Sequence, residues 1–281
     1  MSAASAPQRK EESYAAGLAR AYVGAILFAV PLMMTMELWQ FGVSMDRARL
    51  ALYVALAVPV AILLTRRVGF RRTTDLLDDV MDGLSALFVG FTASAALLTL
   101  LAVLGPDQPL REWVGRIAVQ AAPATIGAVV ARKQLATGGG DDEDSDDDQP
   151  DPGYFGELFL MVVGALFVAL NVAPTEEMIL IAWRMAPAHS LALVVVSLGL
   201  LHAIVYRVGL PGEETPLQGQ PGWAVFLRFT VVGYALVLLT SLYILWTFGR
   251  IDDVGFVEVV KVTVVLGFPA ALGAALARLV T

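Results

Sequence analysis

The sequence contains no cysteine and little histidine, lysine or charge of any kind, and each shortage excludes a class of protein. Without cysteine there is no disulfide framework and no thiol chemistry. The two histidines, His189 and His202, are too few for a histidine-based metal cluster. Charged residues make up 16% of the chain and hydrophobic residues 57%, whereas a soluble domain is about 25% charged. This balance argues against an ordinary soluble domain and predicts a membrane protein.

The hydrophobic residues are gathered in long blocks, which predict an all-α fold: a polytopic membrane bundle of about eight transmembrane helices. A polar tail, 1–13, precedes the first helix. Between the fourth and fifth helices lies an acidic, glycine-rich tract, 136–153, which cannot bury apolar surface and is expected to be a disordered linker. The spans are expected at about 14–40, 50–65, 83–104, 113–131, 154–183, 191–206, 223–248 and 254–279.

Two pairs of segments repeat along the chain. One match sets 24–37 against 164–177 without gaps, and a second sets 123–132 against 269–278. They predict two four-helix repeats, 14–135 and 154–281. Because four spans is an even number, both copies enter from the same side, so the repeats are expected to be parallel and related by a pseudo-twofold axis along the membrane normal. The residues that coincide in the first match include Gly24 with Gly164, Thr35 with Thr175, and Glu37 with Glu177.

Loop charge predicts the orientation. The most basic loop carries four arginines, at 66, 67, 71 and 72, on the side that holds the N-terminus. Because cytoplasmic loops are enriched in arginine and lysine, we expect both termini and the acidic linker to be cytoplasmic, in a multi-pass protein of the cell membrane.

The glutamates at the repeated position point to a site. A charge within a transmembrane helix costs roughly 3 kcal/mol, so one that serves nothing is not expected to persist. Glu37 and Glu177 each follow a proline and a threonine, and freed carbonyls, hydroxyls and carboxylates are oxygen ligands suited to a hard cation or a shuttled proton. The predicted cation or proton site comprises Glu37, Glu177, Thr35, Thr175, Glu176 and Asn171. Glu112 and Glu258 are expected in an outer vestibule.

Three other interpretations of these residues stay open. In the first, Glu37 and Glu177 snorkel outward or pair with Arg49 and Arg184, and the charges have a structural role. In the second, the protein is a non-transporting membrane sensor or assembly protein. In the third, Glu176 and Glu177 form an intramembrane hydrolase with His202, although the arginine that CAAX-protease-like families carry four residues after a glutamate pair is replaced here by Ile181.

Two segments carry a family resemblance: PLMMTMELWQFG, starting at Pro31, and APTEEMILIAWRMAP, starting at Ala173. With the eight spans, they resemble a family of prokaryotic integral membrane proteins known only as a domain of unknown function. The resemblance implies a membrane location and no activity. The expected partners are the lipid bilayer and a monovalent or divalent cation or a proton, with a homo-oligomer left open. No cofactor and no nucleic acid are expected.

Overall fold

The computed structural model describes residues 6–33, 35–68, 76–137, 153–206 and 222–279. The chain divides into two compact units, Met1–Asp151 and Pro152–Thr281. The described residues are helical and contain no strand, as predicted. Seven helices are long and apolar enough to cross a membrane, or up to eight if a bent pair in the first unit counts as one span. The predicted polytopic helical bundle is therefore confirmed. The predicted acidic linker lies almost entirely outside the described residues.

Unit 1 contains five helices within its described residues. They are α1 (Ala6–Met33), α2 (Met36–Ser44), α3 (Arg47–Val68), α4 (Leu76–Leu100) and α5 (Leu110–Thr137). Helix α5 packs against each of the other four. The most apolar stretch of α5 is 72% buried, whereas the corresponding stretch of α3 is 28% buried. Helix α5 therefore lies at the centre of the unit and α3 at its periphery.

Unit 2 has the same order of elements. It contains α6 (Gly153–Val172), α7 (Glu177–Arg184), α8 (Pro187–Tyr206), α9 (Gly222–Val225), a π-helix (Phe226–Val231), α10 (Val232–Thr247) and α11 (Phe256–Leu279). Helix α9, the π-helix and α10 follow one another as a single span. Helix α11 is central and packs against α6, α7, α8 and α10. Helix α8 is peripheral, because only 17% of its most apolar stretch is buried.

Small residues allow a close crossing of the first and last helix in each unit. A Cβ added at Gly127 on α5 would lie 2.6 Å from the carbonyl oxygen of Gly24 on α1. In unit 2 a Cβ added at Gly273 on α11 would lie 2.5 Å from the carbonyl oxygen of Gly164 on α6. Neither crossing has room for a side chain, so backbones touch directly, as small residues permit between membrane helices. The same contact between first and last helix occurs in both units.

The first helix of each unit ends earlier than the sequence predicts. Single kinked spans were expected at 14–40 and 154–183, but α1 ends at Met33 and α6 at Val172, and short helices α2 and α7 follow. Helix α2 turns by 87° from α1. In unit 2, Pro174 lies within the break, where it has no N–H to continue the helix and disfavours helical backbone at the residue before it. In unit 2 the proline therefore ends the helix, whereas in unit 1 Pro31 lies inside α1, which continues to Met33.

Candidate functional site

The two helix breaks have the same local geometry. The Thr35 hydroxyl donates to the Leu32 carbonyl at 2.9 Å, and the Thr175 hydroxyl donates to the Val172 carbonyl at 2.9 Å. Each threonine thus satisfies a carbonyl at the end of the helix that precedes it, where the helix itself supplies no donor. We call the end of each unit that contains this break its break end. The opposite end, where α1 or α6 begins, is the proximal end.

Glu37 and Glu177 occupy the same place in the two units. Each lies in the first turn of the short helix after the break. Glu37 is half-buried and Glu177 is exposed. Among the residues that the structure describes, neither carboxylate forms an ion pair, so the predicted pairs with Arg49 and Arg184 are not formed there. The positive end of the helix dipole lowers the cost of a carboxylate in a first turn. Both glutamates therefore lie at a helix start, where a negative charge is stabilised.

A buried arginine organises the break end of unit 1. Arg116 donates to the Val103 carbonyl at 2.7 Å and to Gln108 at 2.9 Å, and its guanidinium lies 5.3 Å from the ring centre of Trp39 on α2. It also pairs with Glu112 at 3.3 Å. Glu112, expected in an outer vestibule, thus lies at the break end but is neutralised by an arginine one turn along α5.

A second arginine reaches the break itself in unit 2. Arg250 donates to the Pro174 carbonyl, and its guanidinium lies 4.0 Å from the carboxylate of Glu176. Glu176 is 79% exposed, so this ion pair is a weak one. Arg250 therefore holds one of the carbonyls of the break and one of its two adjacent glutamates. Glu177 itself forms no ion pair among the described residues.

The other two predicted residues make local contacts. Asn171 donates from its amide to the Phe167 carbonyl one turn earlier on α6, at 2.7 Å. The carboxylate of Glu258 folds back over the start of α11. A Cβ added at Gly255, just before that helix, would lie 2.8 Å from a carboxylate oxygen of Glu258. This is the position from which a glutamate caps the first turn of a helix. Asn171 and Glu258 thus stabilise helix ends at or near the break.

No cluster of three or more His, Asp or Glu side chains that could hold a metal ion is formed among the described residues. Among the described residues, the glutamates at the break ends that form no ion pair are Glu37 in unit 1 and Glu177 and Glu258 in unit 2, and each break end also has a threonine hydroxyl and backbone carbonyls. The approach of Glu37 to Glu177 joins residues of different units and stays a prediction.

The structure separates Glu177 from His202. Helix α8 begins at Pro187, directly after the break-end segment, and His202 follows after about 22 Å of helix. His202 Nδ1 lies 2.9 Å from the Thr230 hydroxyl and so has its partner at the proximal end. The glutamate–histidine pair that a hydrolase would need is therefore not assembled.

Sequence reasoning did not find the polar network at the proximal end of unit 2. Arg278 donates to Glu157 at 2.8 Å and to the Tyr206 hydroxyl at 3.0 Å, and its side chain is 2% exposed. His202 packs against the Tyr206 ring, with ring centres 5.2 Å apart. We call Glu157, His202, Tyr206, Thr230 and Arg278 the proximal network. The sequence indicates this network through Glu157, a charged residue on an otherwise apolar helix. A charge within a transmembrane helix is costly, and the same argument singles out Glu37.

The family model that matches this chain is described as "Putative integral membrane protein (DUF2391)", and it matches residues 17–281. The chain belongs to this family. No curated protein and no solved structure matches it. The matched range of this DUF2391 protein includes both breaks and the proximal network, and its description agrees with the resemblance that the sequence motifs indicated. The protein is thus an integral membrane protein.

Each unit of this DUF2391 protein also buries a serine hydroxyl at a comparable depth. Ser94 on α4 and Ser241 on α10 are both fully buried, and neither hydroxyl has a hydrogen-bond partner among the described residues. Each lies six residues before its helix ends at the break end, or about 9 Å inward. A buried hydroxyl without a partner costs about 1–3 kcal/mol. Water or a polar species that reaches this depth would remove that cost.

Proposed function

We propose that the protein moves cations or protons across the membrane, as a channel or a carrier, with Glu37 and Glu177 as the groups that bind them. The observation that carries the proposal is the repeated break: a threonine bound to the end of the first helix, then a glutamate in the first turn of the next helix. Each copy leaves a carboxylate without an ion pair in the described part of the chain. A charge that only needed to be solvated would have no reason to appear at the same turn twice.

The proposal includes a duplication of one four-helix unit, with the two copies parallel. Two features of the packing support it: the glycine crossings at Gly24 with Gly127 and at Gly164 with Gly273 occupy the aligned positions of both sequence matches. In a parallel arrangement both break ends belong to the same, outer face of the cell membrane, and both termini are cytoplasmic.

The buried serines extend the path inward. Ser94 and Ser241 lie about 9 Å from the break ends, so a hydrated species that passes Glu37 or Glu177 would meet a hydroxyl next. In unit 2, Glu176 already has Arg250 as its ion-pair partner, at 4.0 Å. Glu176 is therefore less available than Glu177 to bind a transported cation or proton. We therefore assign the exchangeable charge of that unit to Glu177.

The test is flux in liposomes under imposed proton, sodium and calcium gradients. We expect Glu37→Gln and Glu177→Gln each to lower flux about tenfold or more, since loss of a binding group worth about 1.4 kcal/mol lowers affinity tenfold. Glu176→Gln is the matched control, because it removes the neighbouring carboxylate that Arg250 already neutralises, and its flux should stay close to the wild type.

Two outcomes would contradict the proposal. Unchanged flux in both folded glutamate variants would remove the assigned role of these residues. No flux from the wild-type protein under any of the three gradients would exclude transport of these ions and favour a non-transporting sensor or assembly protein.

A further inference from the structure

The proximal network of unit 2 is built around a π-helix. Between helix α9 and helix α10 this span contains a π-helix, from Phe226 to Val231. π-Helices are rare in proteins, and many of them lie at functional sites. Thr230 lies within this π-helix, buried, with its hydroxyl 2.9 Å from His202 Nδ1.

The corresponding place in unit 1 is apolar. In the alignment that sets Gly24 against Gly164, His202 falls opposite Ile62 and Glu157 opposite Gly17. Thr230 falls opposite Gly83 or Leu84. There, α3 and α4 pack directly, because a Cβ added at Gly83 would lie 2.7 Å from the Ile62 side chain. Packing of these two helices therefore does not require a histidine, a threonine or an ion pair.

The partner of His202 suits both of its protonation states. A hydroxyl is a donor and an acceptor. Thr230 can donate to the Nδ1 lone pair of a neutral imidazole, and it can accept from Nδ1–H of an imidazolium after rotating its own proton away. A backbone carbonyl, by contrast, could only accept. The contact therefore remains a hydrogen bond when the ring gains or loses a proton.

Three charged residues lie at the proximal end of the described elements around His202: Glu157, Arg278 and Arg228, whose guanidinium on the π-helix lies 5.8 Å from the ring centre of Phe229. From α11, Arg278 supplies a positive charge, and from α6, Glu157 supplies a negative one, with 2.8 Å between them. On α8 itself, Tyr206 stacks on the ring and accepts from Arg278. From the π-helix come Thr230 and the ring of Phe226, 5.3 Å from the imidazole, and on α10 the phenol of Tyr234 faces Ser197 of α8. The imidazole ring itself is half-buried.

We propose that His202 is a proton-binding site at the proximal end of unit 2, which receives or releases a proton that the protein moves. This deepens the proposed function and rests on it, because it names the proton as a transported species. Glu177 serves the break end of the same unit and His202 the proximal end. Histidine is the side chain that gains and loses a proton near neutral pH without any special environment.

The test follows the imidazole resonances of the protein labelled with ¹³C and ¹⁵N histidine in lipid nanodiscs between pH 5 and 8. The chain has only two histidines, and His189→Gln assigns the remaining signal to His202. We expect His202 to titrate and Thr230→Val to move its midpoint. Thr263→Val is the matched control, because that buried hydroxyl bonds the Val259 carbonyl of its own helix. His189, exposed at the start of α8, is the internal reference and should not respond to Thr230→Val.

Proton flux completes the experiment. We expect His202→Gln to lower proton flux about tenfold, as for loss of a binding group worth about 1.4 kcal/mol, in a protein that remains folded. A His202 ring that keeps one protonation state throughout pH 5–8 would overturn the inference even if Glu37→Gln and Glu177→Gln abolish flux. Unchanged proton flux in His202→Gln would overturn it as well. Absence of any flux from the wild type would instead contradict the proposed transport function. The titration of His202 tells the two failures apart, because it can be measured without transport.

Discussion

The crossing of α6 and α11 at two glycines gives a prediction that can be worked from the structure. Gly273→Ala would place a methyl group 2.5 Å from the Gly164 carbonyl oxygen and 2.5 Å from Cγ2 of Val168. Ordinary van der Waals contact begins at about 3.4 Å, so the two helices must separate by about 1 Å. The nearest obstacle is backbone, which cannot rotate away. We therefore expect a loss at the upper end of the 1–3 kcal/mol typical of overpacking, about 3 kcal/mol.

Two other glycines of unit 2 are matched controls. A Cβ at Gly233 on α10 would meet the thioether of Met161, with the sulfur at 2.8 Å, and a flexible methionine can move aside. A Cβ at Gly199 on α8 would meet nothing within 4 Å. Gly199→Ala should stabilise the protein by about 0.5–1 kcal/mol, because alanine loses less backbone entropy in a helix.

The assay is unfolding in mixed detergent micelles, followed by tryptophan fluorescence. The expected order of stability is Gly199→Ala, then wild type, then Gly233→Ala, then Gly273→Ala, with a span of about 4 kcal/mol between the extremes. Gly127→Ala in unit 1 should behave like Gly273→Ala, because a Cβ there would lie 2.6 Å from the Gly24 carbonyl oxygen. The reasoning is refuted if Gly273→Ala is as stable as Gly199→Ala, since the helices would then not cross at these glycines.

Two further predictions concern charge and topology. Glu157→Gln should destabilise the protein by about 3 kcal/mol, because it leaves the buried guanidinium of Arg278 without its counter-ion. Glu176→Gln removes a mostly exposed partner and should cost less than about 1 kcal/mol in the same unfolding assay; equal losses would contradict the assigned burial. Reporter fusions at Gly105 and Gly140 should locate these two loops on opposite sides of the membrane, with Gly140 cytoplasmic, and the same side for both would disprove the topology.

Much of the site could be predicted from local sequence. Proline, threonine and glutamate follow one another near the end of an apolar run in both halves, and this pattern alone located the two breaks to within a few residues. It did not distinguish a kinked span from a broken one, because that depends on whether the segment after the break packs along the first helix or across the bundle. Helix α2 packs against α5, where Gly42 meets the backbone of Gly115 and Arg116.

Partners of the charged residues could not be predicted in the same way. One alternative interpretation of the sequence paired Glu37 with Arg49 and Glu177 with Arg184, which are close to them in sequence. The structure instead pairs Glu157 with Arg278 and Glu176 with Arg250, which are distant in sequence. An arginine side chain is long enough to reach a carboxylate on any adjacent helix, so its partner depends on which helices are adjacent.

The sequence by itself determined that the chain is a helical membrane protein, where its spans lie, and which glutamates recur in the same register. These properties follow from hydrophobicity and from the order of residues along one helix, and they need no knowledge of neighbours. Only the tertiary structure decided that α5 and α11 are central, that glycines are in contact across α6 and α11, and that His202 meets Thr230. Those contacts join residues that are distant in sequence, and they depend on how side chains of different size allow the helices to approach.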